Sequence, residues 1–317
     1  MTTTPHTQFA EHFQAIAANV GKAILGKPEA LELAVTCLLA EGHLLIEDAP
    51  GVGKTSLAKA LAVSIQADFG RISCTPDLLP SDVVGTTIWN RAANTLEFQP
   101  GPVFAGIMVA DEINRASPKT QSALLEAMAE GQVTVDKSTH MLPRPFMVIA
   151  TQNPLEYEGT YPLPESQLDR FLMKIQVGYP SKQAELNILD TIGTQNPLDH
   201  LGAVLQPKEV CALAELACGV YIAPAINSYL VQIATATRNH PNTILGMSTR
   251  ATLALQRASR VRAAAQSRDF VLPDDVKQLA EPVLAHRLLL DTSTHTGAST
   301  AKEVIAEILS AIPTPAN

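Results

Sequence analysis

The sequence predicts an α/β fold in two parts: a three-layer αβα domain with a mainly parallel sheet over residues 1–180, then an all-helical domain over 181–317. Three observations carry that expectation. Short apolar runs of strand type alternate with helix-periodic segments in the first part, the pattern of parallel strands covered by helices on both faces. Polar residues gather at the carboxyl ends of those runs, where such sheets bind ligands. Beyond residue 181 the strand signals stop and helical periodicity remains.

Taken in order, residues 31–40 are helix-periodic, Gly42 breaks the pattern, and Leu44-Leu45-Ile46 follows as a buried strand. Pro50-Gly51-Val52-Gly53-Lys54-Thr55-Ser56 comes next, after which Leu57, Ala58, Ala60, Leu61 and Ile65 resume helical register. Residues 107–110 read as a second strand ending at Asp111-Glu112, and Ser117-Pro118 supplies a cap and a first-turn proline for a helix. Residues 146–150 form a third strand, ending at Thr151-Gln152-Asn153, and 172–177 a fourth, before Pro180. Residues 87–98 resemble a hairpin with a turn at 90–94, and 132–135 is expected to pair with a strand near Arg144-Pro145-Phe146. Helices are expected at 184–192, 208–217, 225–237, 249–265 and 273–290, with linker-like stretches at 194–206 and 292–300.

Composition narrows the function. Of the 317 residues 46% are hydrophobic and only 4% aromatic, so Ala, Leu, Val and Ile must build the core. With 31 acidic against 23 basic residues the net charge is -8, which repels a polyanion and disfavours nucleic acid as a partner. Arg257, Arg260, Arg262 and Arg268 read as a solvated helical face. Cys37, Cys74, Cys211 and Cys218 lack metal-binding spacing, and buried free thiols in a reducing compartment are expected. Residues 1–12 contain no basic segment followed by an apolar run, and no stretch reaches the length of a membrane helix, so a cytoplasmic location without a membrane span is expected.

A triphosphate is gripped best by several backbone N–H groups converging on it, which requires glycines with unusual backbone angles and a helix N-terminus behind them. Gly51 and Gly53 supply that freedom, with Asp48, Pro50, Val52 and Ser56 completing the loop. Lys54 can reach the β- and γ-phosphates, and the Thr55 hydroxyl can ligate Mg²⁺. The usual first glycine of such a loop is replaced by Asp48. Asp111 and Glu112 end a strand expected beside the glycine-loop strand; Asp111 suits Mg²⁺ coordination through water and Glu112 suits polarising the attacking water. Ordinary alternatives are a glycine turn before a helix and a pair of surface acids capping one.

Several stretches together resemble the MoxR family of AAA+ ATPases, a branch of the P-loop NTPases: 45–55, Thr75 to Asp82, Ala110 to Ala116, Ala150 to Pro154 and Leu163 to Phe171, in family order. An acidic pair commonly precedes the loop in that family, so Asp48 fits it. The resemblance implies that Asn153 is a sensor residue orienting water and that Arg170 is a finger reaching a neighbouring subunit's nucleotide. Arg250, in Gly246-Met247-Ser248-Thr249-Arg250, would be a second sensor in a helical lid, although many relatives carry Pro at the position of Thr249. Gly26, in Ile24-Leu25-Gly26, would lie against the adenine. The plain alternatives are an Asn-Pro turn, an Arg170 pair with Asp169 or Glu165, a helix-capping turn, and a turn between helices.

A finger acting in trans further implies a homo-oligomeric ring, a hexamer in the family, with protein clients or an adaptor bearing a von Willebrand factor A domain. The two hairpins would touch a partner or the central channel, or else complete subunit packing. The sequence also admits two other functions: a nucleic-acid motor and a nucleotide-dependent scaffold with little hydrolysis.

Overall fold

The structure, a computed structural model, describes residues 4–154, 160–192, 197–291 and 300–315. The expected linkers fall partly at 193–196 and 292–299, outside the described residues. By packing, the chain forms two compact units: a sheet unit of residues 15–163 and 175–211, and a helical unit of residues 1–14, 164–174 and 212–317.

The chain opens with α1 (Pro5–Gly21), α2 (Pro28–Leu39), β1 (Leu44–Glu47), α3 (Lys54–Ser64), β2 (Phe69–Ser73) and α4 (Pro80–Val84). A hairpin of β3 (Gly85–Asn90) and β4 (Thr95–Pro100) precedes β5 (Ile107–Asp111) and α5 (Pro118–Glu130). A second hairpin, β6 (Gln132–Val135) and β7 (Ser138–Met141), leads into β8 (Met147–Gln152). Then come α6 (Glu165–Leu168), β9 (Met173–Ile175), α7 (Lys182–Ile192) and α8 (Pro207–Cys218). The rest is α9 (Pro224–Asn239), β10 (Thr243–Leu245), α10 (Thr249–Ala265), α11 (Pro273–Leu284), β11 (Leu289–Leu290) and α12 (Ala301–Ala311).

The central sheet has the order β2-β5-β8-β1-β9. Its inner strand β8 pairs in parallel with both β1 and β5. Residues 44–46, 107–110 and 147–150 are fully buried, which is why they read as unbroken apolar runs: both faces of a parallel sheet are covered. Register then aligns the strand ends, with Glu47 opposite Gln152 and Ser73 opposite Asp111. Polar residues that follow the buried runs therefore emerge along one rim.

The structure corrects the sequence reading in four places. The Asp111 strand is not beside β1, because β8 lies between them. A fifth strand, β2, was not expected; Gly70, Arg71 and Ser73 interrupt its apolar pattern, as suits a sheet edge where Ile72 alone is buried. Strand β6 pairs with Ser138–Met141 across Asp136 and Lys137, not with residues near 145, and Asp136 takes a left-handed conformation (φ 55°) to make that tight turn. The predominantly helical unit also contains a two-stranded ribbon, β10 with β11, so the helix expected over 273–290 stops at Leu284.

In the helical unit, Tyr229, Leu230 and Ile233 of α9, Leu255 and Ala258 of α10, Val276, Leu279 and Val283 of α11 and Val304 and Ile305 of α12 are buried. Ser248 caps α10, accepting the Ala251 N–H at 3.1 Å, and Thr300 with Glu303 forms a reciprocal cap on α12. Cys37 and Cys74 are buried as expected, whereas Cys218 is exposed.

Candidate active site

At the carboxyl end of β1 the chain turns through Pro50 to Gly53 and enters α3 at Lys54. Gly51 and Gly53 both adopt positive φ, 81° and 90°, which other residues reach only under strain. Gly53 is the left-handed N-cap of α3, and the first-turn N–H groups of Thr55 and Ser56, which an α-helix cannot bond within itself, open toward the loop. A Cβ added to Gly51 would meet nothing within 4 Å, so the concavity is open there. On its other side the loop is backed by the segment carrying Gly26: a Cβ on Gly53 would lie 3.4 Å from Ile24 Cδ1. Gly26 itself has φ 75° and is exposed.

Asp48 is used by its neighbours. Its carbonyl accepts a bond from Lys54 Nζ at 2.7 Å, which folds the ammonium back over the loop. One carboxylate oxygen accepts from Ala49 N (2.9 Å), and the other from Val177 N (2.8 Å) and Gly178 N. The acidic side chain therefore fastens the loop to the chain just after β9, and the Lys27 ammonium donates to the carbonyl of Tyr179 in the same stretch. A glycine at position 48 could make none of the carboxylate bonds.

Asp111 ends β5 with its side chain 15% exposed, and Glu112 follows in a left-handed conformation (φ 55°). Thr151, from β8, stabilises that corner: its hydroxyl oxygen accepts the Glu112 N–H at 2.9 Å and lies 3.4 Å from Asp111 Oδ1. Arg71 Nε donates to Asp111 at 2.7 Å, and Arg115 Nη1 to Glu112 at 3.0 Å. Burial above all, aided by the Asp111 and Glu112 charges, pushes the Cys74 thiol up to about 12. Asn153, buried, follows the last residue of β8, the strand between β1 and β5.

The sheet unit thus gathers the glycine loop, Lys54, Thr55, Asp111, Glu112, Asn153 and Gly26. Arg170 and Arg250 belong to the helical unit. There the Ser248 hydroxyl donates to the carboxylate of Asp169, so the segments carrying the two arginines touch. Ser248 does cap a helix, as the plain alternative had it, and it makes this second bond as well. Sequence reasoning gave no role to Thr151, Arg71 or Arg115. Only Thr151 carried a signal, in its place beside Asn153 at a strand end.

Comparison with known proteins agrees with this geometry. Residues 43–173 match the ATPase family associated with various cellular activities (AAA), and 235–308 match the AAA lid domain. The protein YeaC of Bacillus subtilis, uncharacterized in function, is 48% identical over 94% of this chain and 93% of its own length. Chaperone MoxR1 of Mycobacterium tuberculosis is 38% identical over 93% of this chain and 80% of its own length. A crystal structure of a candidate ATPase from Cytophaga hutchinsonii superposes with a TM-score of 0.91, at 36% identity, over 98% of this chain and 97% of that one. A buried parallel sheet carrying a glycine loop, a helical lid and this similarity along nearly the whole length converge on one assignment: the chain belongs to the MoxR family of AAA+ ATPases.

Proposed function

We propose that this chain binds ATP with Mg²⁺ on the loop from Asp48 to Ser56, hydrolyses it, and couples turnover to remodelling or maturation of protein partners. The observation that carries the proposal is the left-handed glycine loop opening α3, in one sheet unit with the carboxylates at the end of β5. Thr55 and Asp111 offer the hard oxygen donors that suit Mg²⁺. Bound Mg²⁺ would neutralise charge on the β- and γ-phosphate oxygens. The amides of Gly51 to Thr55 bind the phosphates, Lys54 neutralises them, Glu112 accepts the proton of the attacking water, and Asn153 orients that water.

The same reading makes Gly26 a neighbour of the adenine, Arg250 a sensor of the γ-phosphate and Arg170 a finger acting on the next subunit of a hexameric ring. Residues 1–180 then hold the nucleotide and 181–317 act as the lid. The similarity to Chaperone MoxR1 supports protein clients. On the same reading they are recruited directly or through a von Willebrand factor A-domain adaptor, in the cytoplasm. Among the described residues no helix is long and apolar enough to cross a membrane.

Glu112→Gln tests the chemistry: ATP affinity should persist while kcat falls by about 10²- to 10⁴-fold. Equal turnover in variant and parent would defeat the assignment. Mixing Arg170→Ala subunits, of low residual turnover, with inactive Lys54→Ala subunits tests the ring, since only a shared site can raise turnover in mixed assemblies above that of the two variants alone.

A further inference from the structure

Arg170 and Arg250 stand on either side of one side-chain network. Asp169, directly before Arg170, receives the Ser248 hydroxyl, at 3.1 Å from each carboxylate oxygen. Ser248 lies two residues before Arg250 and caps the helix that carries it. Its hydroxyl therefore works twice, accepting the Ala251 N–H and donating to Asp169.

Behind this bond sits Arg287, only 5% exposed. One guanidinium nitrogen is 3.3 Å from Asp169 Oδ1, and another donates to the carbonyl of Phe171 at 2.6 Å. The ring of His286, also buried, reaches the same carbonyl at 3.1 Å. A buried guanidinium is costly unless partners meet it; Arg287 hydrogen-bonds the Phe171 carbonyl and faces Asp169 as an ion pair, so it touches the residues on both sides of Arg170. The Ser248 end is equally fixed. Met247 N donates to Thr237 Oγ1 (3.1 Å), Arg238 Nε donates to the Met247 carbonyl (2.9 Å), and a Cβ on Gly246 would collide with the Arg238 backbone at 2.6 Å.

We propose that Asp169, Ser248 and Arg287 form a latch that positions Arg170 and ties its placement to that of Arg250. The inference rests on the reading of Arg170 as a finger acting in trans and of Arg250 as a sensor acting in cis. Given those roles, the latch makes one subunit's contact with its own nucleotide and its contact with the neighbour's interdependent, a physical route for coupling adjacent sites.

Ser248→Asp is the test, because aspartate still caps the helix but sets a second carboxylate against Asp169. The expected result is a drop in kcat of about ten- to a hundredfold, the scale of a misplaced catalytic group, with ADP affinity unchanged. Ser248→Thr, which keeps hydroxyl and cap, should retain parental kcat. In an Arg170→Ala background Ser248→Asp should cause no further loss, because the latch acts through that arginine. An additive loss in that background, or parental kcat in Ser248→Asp, overturns the latch alone. Arg170→Ala with parental kcat overturns the finger reading and the latch with it. Asp169→Asn, which keeps an acceptor for Ser248 but loses the charge facing Arg287, runs the same cycle from the opposite side should Ser248→Asp not fold.

Discussion

The loop between β1 and α3 and the turn at Asp169 to Phe171 are built on opposite plans. In the loop, geometry comes from neighbouring backbone: a fully buried strand on one side, two left-handed glycines, and a helix start on the other. In the turn, geometry comes from side chains distant in sequence, with Arg287 reaching Phe171 across 116 positions. A local construction tolerates change elsewhere in the fold and presents an array of N–H donors of fixed spacing. A side-chain clamp can be released by moving one partner, which suits a residue whose placement has to report on another.

Lys54→Ala should break the first plan most severely. It removes the ammonium that the Asp48 carbonyl holds folded over the loop. Charge-assisted contacts to phosphate are among the stronger single interactions, about 1.5–3 kcal/mol each, so nucleotide affinity should fall by about 10- to 100-fold and turnover should disappear. Calorimetric titration with ATP and with ADP reads both; retention of parental affinity would remove Lys54 from the phosphate site.

Asp48 is where the two plans meet, since a local loop borrows a side-chain clamp there. Asp48→Ala and Asp48→Gly should each leave the Val177 and Gly178 amides without their acceptor and cost about 1–3 kcal/mol of stability. Glycine is the informative variant, because it restores the residue usual at that position of a phosphate loop. If Asp48→Gly unfolds at the parental temperature, the carboxylate tie is idle and position 48 matters only for its backbone.

This contrast also sets what could be read from the sequence. The β1–loop–α3 unit, the ends of β5 and β8 and the Ser117-Pro118 helix start are legible because each is encoded in one short contiguous stretch. Strand β2 is not, since its Gly70 answers a distant constraint: a Cβ there would lie 2.6 Å from the Pro102 carbonyl. Strand order is equally illegible, because crossovers rather than chain adjacency place β8 between β1 and β5. The clamp on Asp169 leaves no local trace, as neither Ser248 nor Arg287 stands near it in the chain.

His286 gives the mildest test of the clamp, through pH. Burial is the main cause, with the Arg287 charge adding, that holds its imidazole down at about 3 from an ordinary 6.5, so the folded protein keeps it neutral. Below pH 6.5 the unfolded chain takes up a proton that the folded chain refuses, and stability falls as pH drops from there toward 3. The loss should reach about 1.4 kcal/mol one pH unit below the unfolded value and vanish above neutrality. His286→Gln keeps a donor for the Phe171 carbonyl but cannot titrate, so its denaturant midpoints should vary less between pH 7.5 and about pH 5.5 than the parent's. Equal pH dependence in the two proteins would mean that the parent admits a proton at His286, and that the clamp on Phe171 is looser than its buried bonds imply.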